Sequence, residues 1–194
     1  MPKANVTKEK ILSAALMLVR REGYEALNAR RIAQAAGCSV QPLYSLFTGM
    51  KLFMEALYTY ACAFLDQFVE AHADRKNYFE SIGQCHILFA QEEAGVFRFV
   101  FLSPYMRAQT FADIYKKFAR PDVTQTIEDA LQLTQQEASR LYMQMMLYTH
   151  GIASLLAEGA ANFSREEIHN SCCSAYWAFL ERIRKERHDE TTGT

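Results

Sequence analysis

The segment 28–47, NARRIAQAAGCSVQPLYSLF, holds side chains whose types and spacing suit recognition chemistry. Asn28 is a good cap for a short helix whose inward face is Ile32, Ala33 and Ala36. Gly37 supplies a turn conformation that side chains resist. Ser39 is the next expected cap, with Leu43, Leu46 and Phe47 turned inward. Two short helices joined by such a turn form a helix-turn-helix, and the small Ala33 lets the second cross closely over the first. The outward face then carries Val40, Gln41, Tyr44 and Ser45. These uncharged groups suit hydrogen bonds to base edges, contact with thymine methyls and contact with phosphate. Spacing alone also admits an αα-hairpin inside a bundle, with Tyr44 half-buried. Pro42, at the third helical position, disfavours helical geometry at Gln41, although its missing amide would have lacked an intrahelical partner.

The elements that must position this segment are helical throughout. Ile11, Leu12, Ala15, Leu18 and Val19 form one stripe, which Gly23 can end. Phe53, Leu57, Ala61, Phe64 and Phe68 form a second, on a fourth helix over about residues 50–73. Capping-box pairs Asn77 with Glu80, Thr134 with Glu137, and Ser164 with Glu167 open three later segments. Gly95, Ser103-Pro104 and Arg120-Pro121-Asp122 divide the rest into shorter helices, and the polar tail Lys185–Thr194 is expected to fray. With 8 Gly and 4 Pro in 194 residues, breakers are too scarce for a sandwich or barrel of many short strands. The expected fold is all-α with about nine helices. A three-helix helix-turn-helix domain fills residues 1–50 and a helical body fills 51–194, with no Gly- or Pro-rich linker between them.

Composition narrows the function. The net charge is −1, yet residues 1–60 carry eight basic and four acidic side chains, a basic head on an acidic body. That asymmetry points to an anionic partner for the head alone. Five cysteines without a CxxC pair argue for buried thiols rather than a disulfide framework or zinc site. No apolar run reaches membrane-spanning length and the polar start MPKANVTKEK does not read as a secretory signal, so a cytoplasmic, non-membrane protein is expected. P-loop, G-x-S-x-G, H-E-x-x-H and dinucleotide-turn motifs are missing, so neither enzymatic activity, a cofactor nor a metal is expected.

The residues also resemble a family. IL-x-AA-x-x-L (11–18), Gly23, Arg31-Ile32-Ala33, Ala36-Gly37-Cys38-Ser39, Leu43-Tyr44 and Phe47 are similar to the amino-terminal domain of TetR/AcrR-type transcriptional regulators. The match covers roughly residues 6–58, and YTHGIASLLAEG (148–159) is similar to a body segment of many such proteins. The resemblance implies a homodimer built on the last two long helices, binding a double-stranded DNA operator and repressing transcription until a small molecule relieves it. It puts base contacts on Val40, Gln41 and Ser45, phosphate contacts on Asn28, Tyr44 and the first turn of the fourth helix, and the wider DNA-facing set includes Arg31, Ser39, Pro42 and Lys51. This chain departs from the family pattern in having Asn28 where Thr is usual. It also has Met50 where Lys is usual, with Lys51 one place later.

The body is rich in bulky, soft side chains. His86, Phe89, Phe101, Tyr105, Phe111, Met143, Met146 and His150 are the candidates to line a largely apolar effector pocket. Trp177, Phe179, Leu180 and Leu147 widen the apolar arcs of the last two long helices beyond one core-facing stripe, which points to a second copy. A helical small-molecule-binding or adaptor protein without specific DNA recognition is the alternative reading.

Overall fold

The structure, a computed structural model, describes residues 6–192, with side chains through Asp189. Ten α-helices and no strand occur among them: α1 (Lys8–Glu22), α2 (Ala29–Ala36), α3 (Gln41–Phe47), α4 (Met50–His72), α5 (Tyr78–Glu92), α6 (Ala94–Phe97), α7 (Phe111–Phe118), α8 (Pro121–Leu131), α9 (Gln135–Ala157) and α10 (Arg165–Thr192). The all-α expectation holds, and the helix count is close to that expected. The chain packs as two units. One runs up to Glu70 and takes in Glu92–Arg107; the other joins Ala71–Gln91 to the chain from Ala108 onward.

In the first unit, Thr7 caps α1 by accepting the Lys10 amide at 3.1 Å. Ile11, Ala15, Leu16, Leu18 and Val19 are its buried residues. Gly23, at φ 83°, ends the helix as its amide reaches Val19 O at 3.0 Å. Gly95, read from sequence as a break, sits inside α6 instead. A Cβ there would fall 2.2 Å from the Val19 carbonyl oxygen, so only glycine allows this close approach to the end of α1. Beside it, Arg20 grips the buried Glu93 carboxylate through both Nε and Nη2. The chain then makes a π-helical turn over Arg98–Leu102. Such a turn leaves carbonyls needing donors. Ser103 Oγ donates to Phe99 O at 2.5 Å and Tyr58 OH to Val100 O at 2.9 Å. Tyr24 stacks on Phe99 with ring centroids 5.3 Å apart.

In the second unit, Tyr78, Val123, Ile127, Leu133, Ala138, Leu141, Tyr142, Leu180 and Ile183 form one core. Thr134 with Glu137 makes a complete capping box at α9, and Ser164 with Glu167 makes the same pair of bonds before α10. Thr110 with Asp113 adds a third box, at α7. Asn77 does not play the expected part. A 3₁₀ turn over Arg75–Asn77 precedes α5, and Asp74 caps that turn by accepting the Lys76 amide at 2.9 Å. The tail is more ordered than its composition suggested, since α10 continues through Thr192. Arg187 reaches back to Glu137 (Nε–Oε1 2.7 Å) and to Gln132 O at 3.2 Å, and so fastens this end. Residues 193–194 of the tail lie outside the described residues.

Candidate nucleic-acid interface

Helices α2 and α3 are built as the sequence required, with one correction. Asn28 Oδ1 accepts the Arg31 amide at 3.0 Å and caps α2. Ile32, Ala33 and Ala36 are buried, and Gly37 takes the left-handed conformation at φ 65°. Leu43 and Phe47 are buried on α3, with Leu46 half-buried between them. Ser39 does not cap α3, which has no side-chain cap; Val40 occupies that position. The reason is local. A cap at Ser39 would direct its Oγ to the amide three residues on, and Pro42 has none.

The outward face of α3 carries Gln41, Tyr44 and Ser45, all exposed, with Tyr44 half open to solvent at 50%. Ser45 Oγ is engaged locally, donating to Pro42 O at 3.1 Å. Val40 and Pro42 are half-buried at the start of the helix, while Ser39, Asn28 and Lys51 are exposed. Thr48 and Gly49 follow at φ 56° and 121°, and this sharp reversal sets the direction in which α4 begins. Lys8 of α1 places its ammonium 5.7 Å from the Phe47 ring centroid. Arg31 is half-buried, with its guanidinium on Glu22 and on Ala26 O. Two exposed residues that the sequence reading passed over are Arg30 and Thr48. Arg30 lies away from the buried Ile32-Ala33-Ala36 stripe, and Thr48 stands four residues after Tyr44, so spacing could have marked both.

The candidate pocket residues divide between the units. Phe101 and Tyr105 belong to the first, where Phe101 packs on Phe97 (centroids 4.9 Å apart) and Tyr105 meets Phe99 edge-on (5.6 Å). In the second, His86 of α5 and His150 of α9 come together, Nε2 to Nδ1, at 3.2 Å. Their ring centroids are 5.5 Å apart, so the nitrogens meet nearly end-on, and one imidazole N–H serves both rings. His150 Nε2 lies 3.4 Å from Ser154 Oγ. Burial, and then the neighbouring His150, hold His86 down to about 3, while burial also lowers His150. The pair is therefore neutral at ordinary pH. Phe89 is fully buried, and Met143 and Met146 are half-buried. Phe111 is 67% exposed beside a shallow surface hollow of about 320 Å³ formed by Ala108–Thr110 and Ile114, so it does not line an enclosed site.

The interface candidates also separate. Trp177 is 56% exposed, Leu147 is half-buried, and Phe179 is half-buried with its ring 6.4 Å from Tyr148. Leu180 is only 1% exposed and lies in the core of the second unit, so it has no apolar surface left for another copy. No helix among the described residues is long and apolar enough to cross a membrane.

Comparison with known proteins agrees with this geometry. Residues 11–57 match the model of the bacterial regulatory proteins of the tetR family. Three solved structures share the fold. A TetR-family transcriptional regulator from Vibrio parahaemolyticus aligns over 87% of this chain and 95% of its own (TM-score 0.62, 15% identity). One from Marinobacter aquaeolei aligns over 88% and 94% (TM-score 0.59, 17% identity). One from Mesorhizobium loti aligns over 90% and 95% (TM-score 0.57, 18% identity). No curated protein sequence matches. Residues 11–57 are thus similar in sequence to the bacterial regulatory proteins of the tetR family, and the chain shares the all-helical fold of solved structures described as members of that family.

Proposed function

We propose that this chain is a cytoplasmic, homodimeric, non-enzymatic repressor that leaves a pseudo-palindromic operator when a small molecule binds its body. In this reading residues 1–50 bind DNA and residues 51–194 hold the effector and the second copy. The observation that carries it is the solvent face of α3. Gln41, Tyr44 and Ser45 are exposed on a short helix whose other side, Leu43 and Phe47, is locked in a core. A rigid helix offering hydrogen-bonding groups is the form of a major-groove reader. One such helix reads few base pairs, and a two-fold pair of heads supplies the remainder. Trp177 and Leu155, both exposed, are the apolar surface offered to the second copy by α10 and α9.

For the effector, the half-buried Met143 and Met146 supply apolar contact, and the neutral His86–His150 pair supplies a polar handle. Helix α4 starts beside the DNA-binding helices and ends in the second unit, which makes it the covalent route for coupling. A coupling of about 1–3 kcal/mol changes affinity roughly 5–150-fold, and DNA must weaken effector binding by the same factor.

The test is a gel shift with DNA upstream of the chain's own gene, repeated across salt. With roughly 6–10 phosphate contacts per dimer, affinity should fall about 10³–10⁵-fold between 50 and 200 mM salt. Tyr44→Ala should weaken binding to every sequence, and Gln41→Ala should relax preference at one base pair by about 1–3 kcal/mol. Salt-independent binding, or none, refutes the reading. The alternative, a helical small-molecule-binding or adaptor protein, is favoured by one observation: Glu22 neutralises Arg31 and so reduces the basic character of the head.

A further inference from the structure

Arg30 and Arg31 are neighbours in the first turn of α2, which directs their side chains about 100° apart around the helix. Arg30 is exposed. Arg31 is instead held at three points. Its amide donates to Asn28 Oδ1 at 3.0 Å, Nη1 donates to Ala26 O at 3.2 Å, and Nη2 pairs with the Glu22 carboxylate. Those partners lie in three successive pieces of chain: the last residue of α1, the 3₁₀ turn Tyr24–Ala26, and the cap of α2. A planar guanidinium can address a carbonyl and a carboxylate in fixed directions at once, whereas an ammonium is a point charge on a flexible stem.

We infer that Arg31 is a positioning residue and not a phosphate contact: its clamp on Glu22 and Ala26 fixes the angle between α1 and α2, and so the pose of α3. This rests on the DNA-binding reading above and changes the role of one residue within it. The Arg31 charge is already matched inside the protein, so it displaces no counterion from DNA. A phosphate contact does, and losing one lowers the slope of log affinity against log salt by about 1.

The experiment uses full-length protein and a duplex that the parent protein selects from a random-sequence pool. Glu22→Gln with Arg31→Gln removes the clamp while keeping the head's net charge. Circular dichroism at a temperature well below Tm verifies that the double variant is folded. Loss of one clamp per head should weaken binding to the selected duplex by about fivefold to twenty-five-fold for a dimer. The salt slope should stay at the parental value, and affinity for unrelated duplex should not change. A purely structural role would lower Tm without altering the ratio of specific to non-specific affinity. Arg31→Lys should bind like the double variant, since it keeps the charge and loses the fork. A slope reduced by about 1 per head would show that Arg31 touches phosphate, and parental affinity would show that the clamp sets no pose; either overturns the inference. If the parent selects no duplex, it is the DNA-binding reading that fails.

Discussion

In the first unit Ile11, Val19, Phe53, Leu57, Phe97 and Phe99 are all fully buried, whereas in the second six consecutive residues of α9, Met143–Tyr148, are each half-buried. A helix lying on one core alternates between covered and open positions, as α9 does from Ala138 to Tyr142. A run of partial burial through a turn and a half means that the helix is partly surrounded on every side. Gln144 Oε1, within this run, is enclosed and has no hydrogen-bond partner. The first unit holds many fully closed side chains, and the middle of α9 has surface left for something else to cover. That contrast supports the proposal above of a rigid head and of a body that accepts an effector and a second copy.

The contrast can be broken most sharply at Gly95. Gly95→Ala puts a methyl group against the backbone of α1, and the carbonyl it meets cannot rotate away. The expected cost is about 3 kcal/mol or more, a fall in Tm of roughly 10 °C, read by thermal unfolding. A loss below about 1 kcal/mol would show that the first unit is less tightly closed than its burial suggests.

Paired truncations in α9 sharpen the comparison. Leu141, fully buried, should lose about 3 kcal/mol on replacement by Ala, and Met143 roughly a third of that, by denaturant titration. Equal losses would mean that the half-buried run is ordinary core.

The third prediction concerns acid. His86 has a folded-state pKa of about 3, below the ordinary 6.5, so on acidification the unfolded chain takes up its proton first. The stability this provides is complete above about pH 6.5, declines as pH falls below that, and is reduced by about 2 kcal/mol at pH 5. His150, lowered by its burial, adds in the same direction. Glu137, drawn down to about 2 chiefly by Arg187, begins to lose its contribution only as pH falls below its ordinary 4.5, so it does not contribute to the decline between pH 7 and pH 5. Urea titrations at pH 7 and pH 5 should show the decline in the parent, and His86→Gln should flatten it. A decline that persists in His86→Gln would place its source elsewhere.

The smallest effect is at a cap. Thr134→Ala removes one half of the capping box on α9 and should cost about 1 kcal/mol, measured by the same titration.

What could be read from the sequence followed interaction range. Asn28, Ile32, Ala33, Gly37 and Leu43 act within one or two turns, and each takes the part that its spacing assigned. Ser39 failed through another local rule, the missing amide of Pro42, which was visible in the sequence but not applied to the cap. Asn77 lost its expected role to Asp74, three residues earlier, because a 3₁₀ turn came between cap and helix. Gly95 and Glu93 could not be placed this way. Their partners Val19 and Arg20 lie more than seventy residues away, and no periodicity encodes that meeting. The same holds for His86 with His150, which were singled out separately but could be paired only by the fold.

The discontinuity of the first unit has a consequence for how the protein comes into being. Its carboxy-terminal strip, Glu92–Arg107, supplies Phe97, Phe99, the ion-pair partner of Arg20 and the acceptor for Tyr58. During translation, the helices of the reading head leave the ribosome well before that strip is made. At about 5–20 residues per second, the head waits seconds for its own last wall, with Val19 and Tyr58 uncovered meanwhile. A nascent chain halted after α4 should therefore be captured by chaperones and cut by protease in α1, and one halted far enough downstream for Arg107 to clear the exit tunnel should resist both. Birth order thus makes the head the last part of the first unit to become safe, although it is the first to be written.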